Sequence, residues 1–375
     1  MVRISSEGNN HADDGQAPPA PRGILTSMQT TPLAASSPLL TPLLSSAACI
    51  RRHPANPILT PAQVPFQASL VFNAGVCKWQ GRYLMVFRND AGPGGPAEKA
   101  TLTHTNLGLA TSRDGVAWEV AAQPLAMPDA AAFGMKDGEL RRVYDPRLHV
   151  LDGRLVLCLA TDTQHGVIGS VVAANDDLTR FEVLSTTMPD NRNLVLFPEK
   201  IGGNYVRLER PMPVYSRGRD RFDLWLSRSP DLRYWGDSRL VLGVEDVPFA
   251  NDKIGPAAPP LKTPKGWLVF FHAVDRDLAR GKHGWEPTWT KRYTAGVMLL
   301  DLNDPSKVIG ISKQPLIAPE VSYEISGGFR DHVIFPTGAI LEDSGEVKIY
   351  YGAGDAVMAL ATAHVDELLA LCLAE

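Results

Sequence analysis

Val143-Tyr144-Asp145-Pro146-Arg147 leads into an apolar run that ends at Leu151, and the turn Asp152-Gly153 joins it to a second apolar run, 155–159. Two short apolar runs joined by an Asp-Gly turn predict a β-hairpin. Proline cannot donate to a strand ladder, so the carboxylate beside it can be held at a fixed angle outside the ladder. Asp145 is therefore the candidate central acid, although by itself it also fits a strand cap or a turn residue.

The same layout recurs along the chain. A turn precedes a strand-like run at Gly81–Arg88, Gly153–Ala160, Gly203–Arg210, Gly266–His272 and Gly345–Tyr351. A second pattern, a Ser or Asn, an Asp two residues later and an aromatic residue four after that, occurs at Ser112–Trp118, Asn175–Phe181 and Ser229–Trp235. Repeated β units at intervals of about 50 to 80 residues predict an all-β fold, a five-bladed β-propeller.

Composition limits the function classes. The chain has 375 residues, of which 44% are hydrophobic, and a net charge of −4. This balance does not indicate nucleic acid or an anionic membrane as a partner. The four cysteines are far apart and form no Cys-x-x-Cys pair, which argues against a zinc site and predicts reduced thiols. No dinucleotide fingerprint or metal-ligand spacing occurs either, so neither a cofactor nor a metal is predicted.

The N-terminal segment has a different texture from the rest. Residues 1–48 are rich in Ser, Pro, Ala and Thr and are predicted to be a disordered extension. Residues 49–375 are predicted to form a single propeller domain with a short C-terminal helix over 365–373. The segment lacks the basic start and unbroken apolar core of a secretory signal, so we expect a cytoplasmic protein. The sequence leaves open whether the protein forms a homo-oligomer.

The hairpin geometry predicts which side chains meet. Positions equally far from a hairpin turn face each other, and the blades of a propeller direct the same strand ends into one funnel. Three hairpins are predicted to pair Asn73 with Arg88, Arg192 and Asn193 with Arg210, and Lys253 with His272. Asp145 and Asp355 are predicted at the same strand ends, and Glu199 lies nearby in sequence. The cations in this set repel each other, so an acidic protein that gathers them is expected to bind an anion there. Phosphate suits arginine forks and a lysine point charge.

Several ordered segments carry a resemblance to a known family. They are His53-Pro-Ala-Asn-Pro-Ile-Leu59, Tyr144-Asp-Pro-Arg147, Asn193-Leu-Val-Leu-Phe-Pro-Glu-Lys200, Lys253-Ile-Gly-Pro-Ala-Ala-Pro-Pro260, Leu300-Asp-Leu-Asn-Asp-Pro-Ser-Lys-Val-Ile-Gly310, Val333-Ile-Phe-Pro-Thr-Gly338 and Tyr350-Tyr-Gly-Ala-Gly-Asp355. From about residue 50 onward the chain resembles glycoside hydrolase family 130, the β-mannoside phosphorylases and related mannosidases. The family's five-bladed propeller agrees with the repeat count.

The resemblance implies a role for each candidate residue. Asp145 resembles the family's single general acid, which protonates the glycosidic oxygen through the sugar's own 3-hydroxyl. Asn73, Arg88 and Asp355 resemble the residues that hold the mannosyl unit. The phosphate-binding set of the phosphorylases corresponds to Arg192, Asn193, Arg210, Lys253 and His272. The expected reaction is inverting phosphorolysis of β-1,4-mannosides, either mannosyl-glucose or manno-oligosaccharides. Inorganic phosphate is the co-substrate and α-D-mannose 1-phosphate the product.

Some features depart from the family or leave alternatives open. Tyr144 stands where the family usually has glutamate, and Ala74 stands where some members have serine. Trp285 and Trp289 lie in an insertion and either stack on the leaving sugar or pack within their own loop. A β-mannoside hydrolase with Asp145 and Glu199 as acid and base is an alternative, because inverting hydrolysis needs a separate base. A non-catalytic carbohydrate-binding propeller is the other alternative function.

Overall fold

The computed structural model describes residues 44–93, 102–276 and 291–374, all within one compact unit, 40–375. The strands are β1 (Arg51–Arg52), β2 (Leu70–Trp79), β3 (Arg82–Ala91), β4 (His104–Ser112), β5 (Glu119–Val120), β6 (Leu140–Leu151), β7 (Arg154–Thr163), β8 (Gly166–Ala174), β9 (Phe181–Thr186), β10 (Asn191–Leu196), β11 (Tyr205–Pro211), β12 (Leu224–Ser229), β13 (Gly236–Leu242), β14 (Lys253–Pro256), β15 (Leu261–Thr263), β16 (Gly266–Arg276), β17 (Lys291–Leu300), β18 (Val308–Ile311), β19 (Ile334–Leu341), β20 (Glu346–Ala353) and β21 (Val357–His364).

These strands form five antiparallel sheets, which are the blades of the predicted propeller. Blade 1 is β2-β3-β4-β5, blade 2 is β6-β7-β8-β9, and blade 3 is β10-β11-β12-β13. Blade 4 is β14-β16-β17-β18, with β15 also paired to β16, and blade 5 is β19-β20-β21-β1. The innermost strands contact one another in the order β19, β2, β6, β10 and β14, and β19 contacts β16 and β17 of blade 4. The prediction of a five-bladed propeller is confirmed.

Helices are few in the described ranges. α1 (Ser322–Ile325) precedes blade 5, and α2 (Val365–Leu373) is the predicted C-terminal helix. Short 3-10 turns occur at Pro61–Gln63, Ala131–Phe133, Tyr215–Arg217 and Val244–Asp246. None of the helices in these ranges is long and apolar enough to cross a membrane.

The N-terminal part of the described chain closes the ring. β1 pairs with β21, with Arg51 opposite Thr362 and Arg52 opposite Ala361. Residues 44–48, which the sequence analysis placed in the extension, also contact the propeller: the Ser46 amide donates to Glu320 Oε1 (2.8 Å). The ordered chain therefore includes these residues. The disorder predicted for the rest of the extension concerns residues outside the described ranges and stays a prediction.

Apolar side chains fill the space between neighbouring blades. Val86 of blade 1 packs with Leu157 of blade 2, and Phe87 of blade 1 packs in a second cluster with Tyr350 of blade 5. Similar clusters lie between the other blades. Each fully buried large apolar side chain stabilises the fold by about 1.5 to 3 kcal/mol. Because both faces of a blade are covered, its strands are apolar on both faces, which explains the nearly continuous apolar runs of the sequence.

Three innermost strands carry a β-bulge at the same place. Asn73, Asp145 and Asn193 have φ of 49°, 50° and 60°, and the pairing register shifts at each of them. Asn and Asp tolerate this left-handed conformation better than other residues with a side chain. A bulge residue leaves the ladder, so its side chain can be re-aimed. This is the physical basis of the fixed angle predicted for Asp145.

Because of the bulges, part of the predicted pairing register is wrong by one residue. Phe72, not Asn73, is paired with Arg88, because the bulge adds one residue to β2. Arg192 is opposite Arg210, as predicted.

Blade 4 also differs from the prediction. Lys253 is paired with Val274, whereas the residue opposite His272 is Gly255. The turn-centred count failed here because β14 and β15 are separate strands that both pair with β16.

The buried His149 on β6 gives the fold a dependence on pH. Burial and then the charge of Arg147 lower its pKa to about 3, and its Nε2 accepts from the Leu196 amide (3.4 Å). The unfolded chain binds a proton below about pH 6.5 and the folded chain does not, so stability falls on acidification. We expect His149 to account for a loss of about 2 kcal/mol in the free energy of unfolding between pH 7.5 and pH 5.

Denaturant unfolding of the parent and of His149→Gln over this pH range measures that contribution. Gln can still accept the amide hydrogen bond but does not titrate, so the variant should show a correspondingly flatter profile. His165→Gln, at an exposed histidine, is the matched control and should follow the parent. Parallel profiles for the parent and His149→Gln would contradict the prediction.

Candidate active site

A polar pocket lies at one end of the propeller and receives side chains from all five blades. Its walls are formed by Phe72, Asn73, Arg88, Arg142, Tyr144, Asp145, Arg192, Asn193, Arg210, Tyr293, Phe329, Arg330, Val333, Phe335 and Asp355. All three bulge residues are among them. The prediction that strand ends from different blades converge on one site therefore agrees with the structure for most of the candidate residues.

Asp145 lies among donors. Its Oδ1 accepts from Asn73 Nδ2 (3.0 Å) and Arg88 Nη1 (3.2 Å), while its backbone carbonyl accepts from Arg147 Nη1 (2.7 Å). Burial raises the pKa of Asp145, but the charges of Arg88 and Arg147 and the bond from Asn73 outweigh it, so the pKa lies below its usual range. The group is therefore an ionised carboxylate at neutral pH. An anion that neutralises nearby cations would favour its protonated form.

Arg88 connects this carboxylate to a second acidic side of the pocket. Its Nε and Nη2 bind Asp90 in a fork (2.9 and 2.6 Å), and Asp90 is buried. Burial raises the pKa of Asp355, against the lowering effect of the charges of Arg330 and Arg88. Arg330 Nε lies 3.8 Å from Asp355 Oδ2. Alternating donors and acceptors of this kind suit the hydroxyl groups of a sugar.

The glycines of the segment 350–355 make room for this arrangement. A Cβ on Gly352 would lie 2.3 Å from Asn73 Oδ1, so only glycine allows Asn73 its position. Asn73 Oδ1 is buried and has no hydrogen-bond partner among the described residues. The segment therefore fixes the amide that orients Asp145 while leaving its acceptor oxygen unpaired.

A cationic cluster, consisting of Arg192, Arg210, Lys253 and His272, occupies the other side. His272 Nε2 lies 3.5 Å from Arg210 Nη1, and Lys253 Nζ lies over the rings of Tyr293 (5.2 Å) and Phe222 (5.9 Å). Arg192 and Arg210 line the pocket, whereas Lys253 and His272 are not among its wall residues.

Electrostatics in the cluster are unfavourable. Burial and the charge of Arg192 lower the pKa of Arg210 to about 9, and burial with the charge of Arg210 lowers the pKa of Lys253 and His272 well below their usual values. Within the ranges described, no carboxylate forms an ion pair with Arg192, Arg210 or Lys253; the neighbouring Asp252 pairs with Lys291 (3.2 Å). Buried cations without acidic partners raise the free energy of the folded state, which an anionic ligand would offset.

The family model described as β-1,4-mannooligosaccharide phosphorylase, glycoside hydrolase family 130, matches residues 50–374. The chain belongs to this family. The resemblance stated from the sequence motifs is thereby confirmed.

Relatives in family 130 are mannoside phosphorylases with two different linkages. A β-1,4-mannooligosaccharide phosphorylase of Ruminococcus albus is 30% identical over 327 residues, 85% of this chain and 90% of the relative. A β-1,2-mannobiose phosphorylase of Listeria innocua is 32% identical over 267 residues, 70% of this chain and 67% of the relative. The solved structure of β-1,2-mannobiose phosphorylase from Listeria innocua in complex with β-1,2-mannobiose gives a TM-score of 0.72 at 26% identity, over 87% of this chain and 99% of that one.

One predicted site residue of this family-130 chain lies elsewhere. Glu199 follows β10 at the hairpin turn that leads to β11, at the opposite end of the strand from Arg192, and pairs with Lys262 (2.6 Å). Its side chain is 47% exposed and does not line the pocket. Glu199 was predicted near the site, as a substrate-binding residue or as the base of a hydrolase, whereas the structure places it outside the pocket. Glu199 follows Asn193 closely in sequence, but the strand between them carries it away from the site.

The variant Glu199→Gln tests whether Glu199 takes part in the reaction. We expect kcat and both KM values within about twofold of the parent, because the change removes only an exposed ion pair. Product release is measured with and without phosphate. A loss of phosphate-independent activity in Glu199→Gln would instead return Glu199 to the site as a base.

Other wall residues were not predicted. Phe329 and Arg330 lie in the loop between α1 and β19, and Tyr293 lies on β17, so none of the three is at a hairpin end that the repeat argument covers. Arg142 could have been found, because it precedes Tyr144 by two residues and shares its strand face. Trp285 and Trp289 lie outside the described residues.

Proposed function

We propose that this family-130 chain is an inverting glycoside phosphorylase that cleaves β-1,4-mannosides with inorganic phosphate and releases α-D-mannose 1-phosphate. The observation that carries the proposal is the cationic cluster, which has no carboxylate partner in the described part of the chain and lies beside one acid held by Asn73 and Arg88. The β-1,4 linkage is supported by the description of the matching family model and by the Ruminococcus albus relative.

The geometry supports a direct displacement. Asn73, Arg88 and Asp355 would hold the mannosyl unit, while Arg192, Asn193 and Arg210 would bind phosphate together with Lys253 and His272 of the same cluster. A phosphate oxygen attacks the anomeric carbon from the face opposite the leaving sugar, so the carbon–oxygen bond to that sugar breaks with inversion. Asp145 supplies the proton that the departing oxygen takes up, through the sugar's 3-hydroxyl. Because phosphate is already an anionic nucleophile, no base is needed.

The rival functions make different demands on the pocket. A hydrolase must activate water, and its proposed base, Glu199, lies at the other end of the hairpin. A non-catalytic carbohydrate-binding propeller would gain nothing from buried, unpaired cations beside the acid, since sugars are neutral. The products of the reaction distinguish a hydrolase and a binding protein from a phosphorylase.

The test is incubation of the pure protein with β-1,4-mannobiose, mannosyl-glucose and β-1,2-mannobiose, each with and without inorganic phosphate. We expect mannose 1-phosphate only with phosphate, and faster release from the two β-1,4-linked sugars. Preference for β-1,2-mannobiose would overturn the linkage but keep the phosphorylase. Free mannose released equally with and without phosphate would indicate a hydrolase, and absence of any product would favour the binding protein.

A further inference from the structure

Tyr144 lines the pocket beside Asp145 and is a buried residue, only 3% exposed. Its hydroxyl donates to Asp162 Oδ1 (2.7 Å), and Arg192 Nη1 donates to the same hydroxyl (3.3 Å). The other oxygen of Asp162 accepts from Arg142 Nε (2.8 Å). Asp162 lies on β7, beside the strand that carries Tyr144, so the bonds cross two strands of blade 2 and reach into blade 3.

The direction of these hydrogen bonds is fixed by chemistry. A guanidinium group has donors only, so Arg192 must donate to the Tyr144 oxygen. The single phenolic proton is then free for Asp162, which as a carboxylate has acceptors only. The result is a one-way chain from Arg192 through Tyr144 to Asp162. Polarisation along such a chain strengthens its members, because Asp162 makes the phenol oxygen a better acceptor.

The ring of Tyr144 is itself held in place. The guanidinium carbons of Arg88 and Arg142 lie 4.8 and 4.6 Å from its centroid, within the range of cation–π attraction. Tyr144 therefore touches Arg88, which binds the acid, as well as Arg192. The phenol cannot leave this position without disturbing several charged contacts.

Arg192 needs such a support. It is opposite Arg210 on the β10–β11 ladder, so two like charges face each other in a buried setting. Among the residues that the structure describes, Tyr144 Oη is the only group that hydrogen-bonds the Arg192 side chain. A long side chain with a like charge opposite and one hydrogen-bond partner is oriented mainly by that partner.

We propose that Tyr144 and Asp162 are positioning residues for Arg192: they hold its guanidinium ready for an oxygen of inorganic phosphate. The inference rests on the proposed function, since it assigns Arg192 to phosphate.

The first test is Tyr144→Phe, which keeps the ring and its cation contacts and removes only the hydroxyl. We expect the Kd for inorganic phosphate, measured by calorimetry without sugar, and the KM for phosphate to rise about five- to tenfold. The kcat at saturating phosphate and the KM for the mannoside should stay within about twofold, because Asp145 and its partners are unchanged. Asp162→Asn should raise the phosphate Kd in the same direction but less, because an amide oxygen can still accept from Tyr144.

The second test asks whether the effect passes through Arg192. Adding Tyr144→Phe to Arg192→Ala should raise the phosphate Kd no further, since a residue that acts only by positioning has nothing left to position. Tyr205→Phe is the matched control: Tyr205 also donates to an aspartate, Asp152, but at an exposed turn of blade 2 away from the pocket. It should keep the parent phosphate Kd.

Each outcome bears on a different statement. A phosphate Kd within twofold of the parent in both Tyr144→Phe and Asp162→Asn overturns the inference. So does an equal rise in the KM for phosphate and for mannoside, which indicates general loosening of the pocket. An effect of Tyr144→Phe without any effect of Asp162→Asn makes Tyr144 a direct phosphate contact instead. If the parent protein does not bind phosphate, the proposed function is wrong, and so is this inference.

Discussion

Asp145→Asn is expected to lower kcat for phosphorolysis about a thousandfold, which is typical of the loss of a positioned general acid. The variant should fold normally, because Asn73 and Asn193 occupy the equivalent bulge in the neighbouring blades with the same left-handed backbone. Arg88 keeps its fork with Asp90, so the pocket retains its shape. Mannose 1-phosphate release gives the rate, and calorimetry with phosphate should show affinity equal to or higher than that of the parent.

A substrate with a good leaving group separates acid catalysis from binding. 4-Nitrophenyl β-mannoside needs little protonation as the bond breaks, so Asp145→Asn should lose far less activity on it than on mannobiose. Asp152→Asn is the matched control, an aspartate with φ of 49° in the turn of the same hairpin, and should behave as the parent. An equal loss on both substrates would mean that Asp145 binds sugar and does not supply the proton.

Arg192→Ala is expected to raise the KM for phosphate about a hundredfold, because hydrogen bonds from a charged donor to a phosphate are among the strongest in proteins. The KM for mannoside should change little. Lys262→Ala, which removes an exposed lysine paired with Glu199, provides a control for general loss of positive charge and should leave the phosphate KM unchanged. An unchanged phosphate KM in Arg192→Ala would mean that the cationic cluster has another purpose.

The same variant should also be stabilised less by phosphate than the parent, because Arg192 is a proposed phosphate contact. Phosphate should raise the Tm of the parent by mass action and that of the variant much less. An equal rise in Tm with phosphate in the parent and in Arg192→Ala would contradict a role of Arg192 in phosphate binding.

The propeller could be predicted from the sequence because the repeat acts at the scale of whole hairpins. The Ser/Asn-x-Asp turns behave as expected: the Asp114 carboxylate accepts from the amides of Val116 and Ala117, and Asp231 accepts from Arg233 and Tyr234. The gathering of Arg192 with Arg210 also followed from counting along the hairpin.

The positions of the other site residues depend on bulges and loops that do not follow the repeat. A bulge shifts register by one residue, and nothing in local composition marks it except that Asn or Asp tolerates the backbone. For this reason the partner of Arg88 was predicted one residue off. Arg330 lies in a loop without a repeat, and its place beside Asp355 is set by the packing of blade 5. The Tyr144–Asp162 bond joins residues on different strands, which no single motif contains.

Ring closure by β1 sets an order in the synthesis of the protein. The ribosome makes Arg51 and Arg52 early, but their partners Ala361 and Thr362 emerge only after the other blades have been made. Arg52 also binds the buried Glu324 (2.8 Å) at the start of α1, just before the loop that carries Phe329 and Arg330. The nascent chain therefore carries four blades and an incomplete pocket until blade 5 is translated. We expect binding competence to arise in one late step, and not gradually as the chain grows.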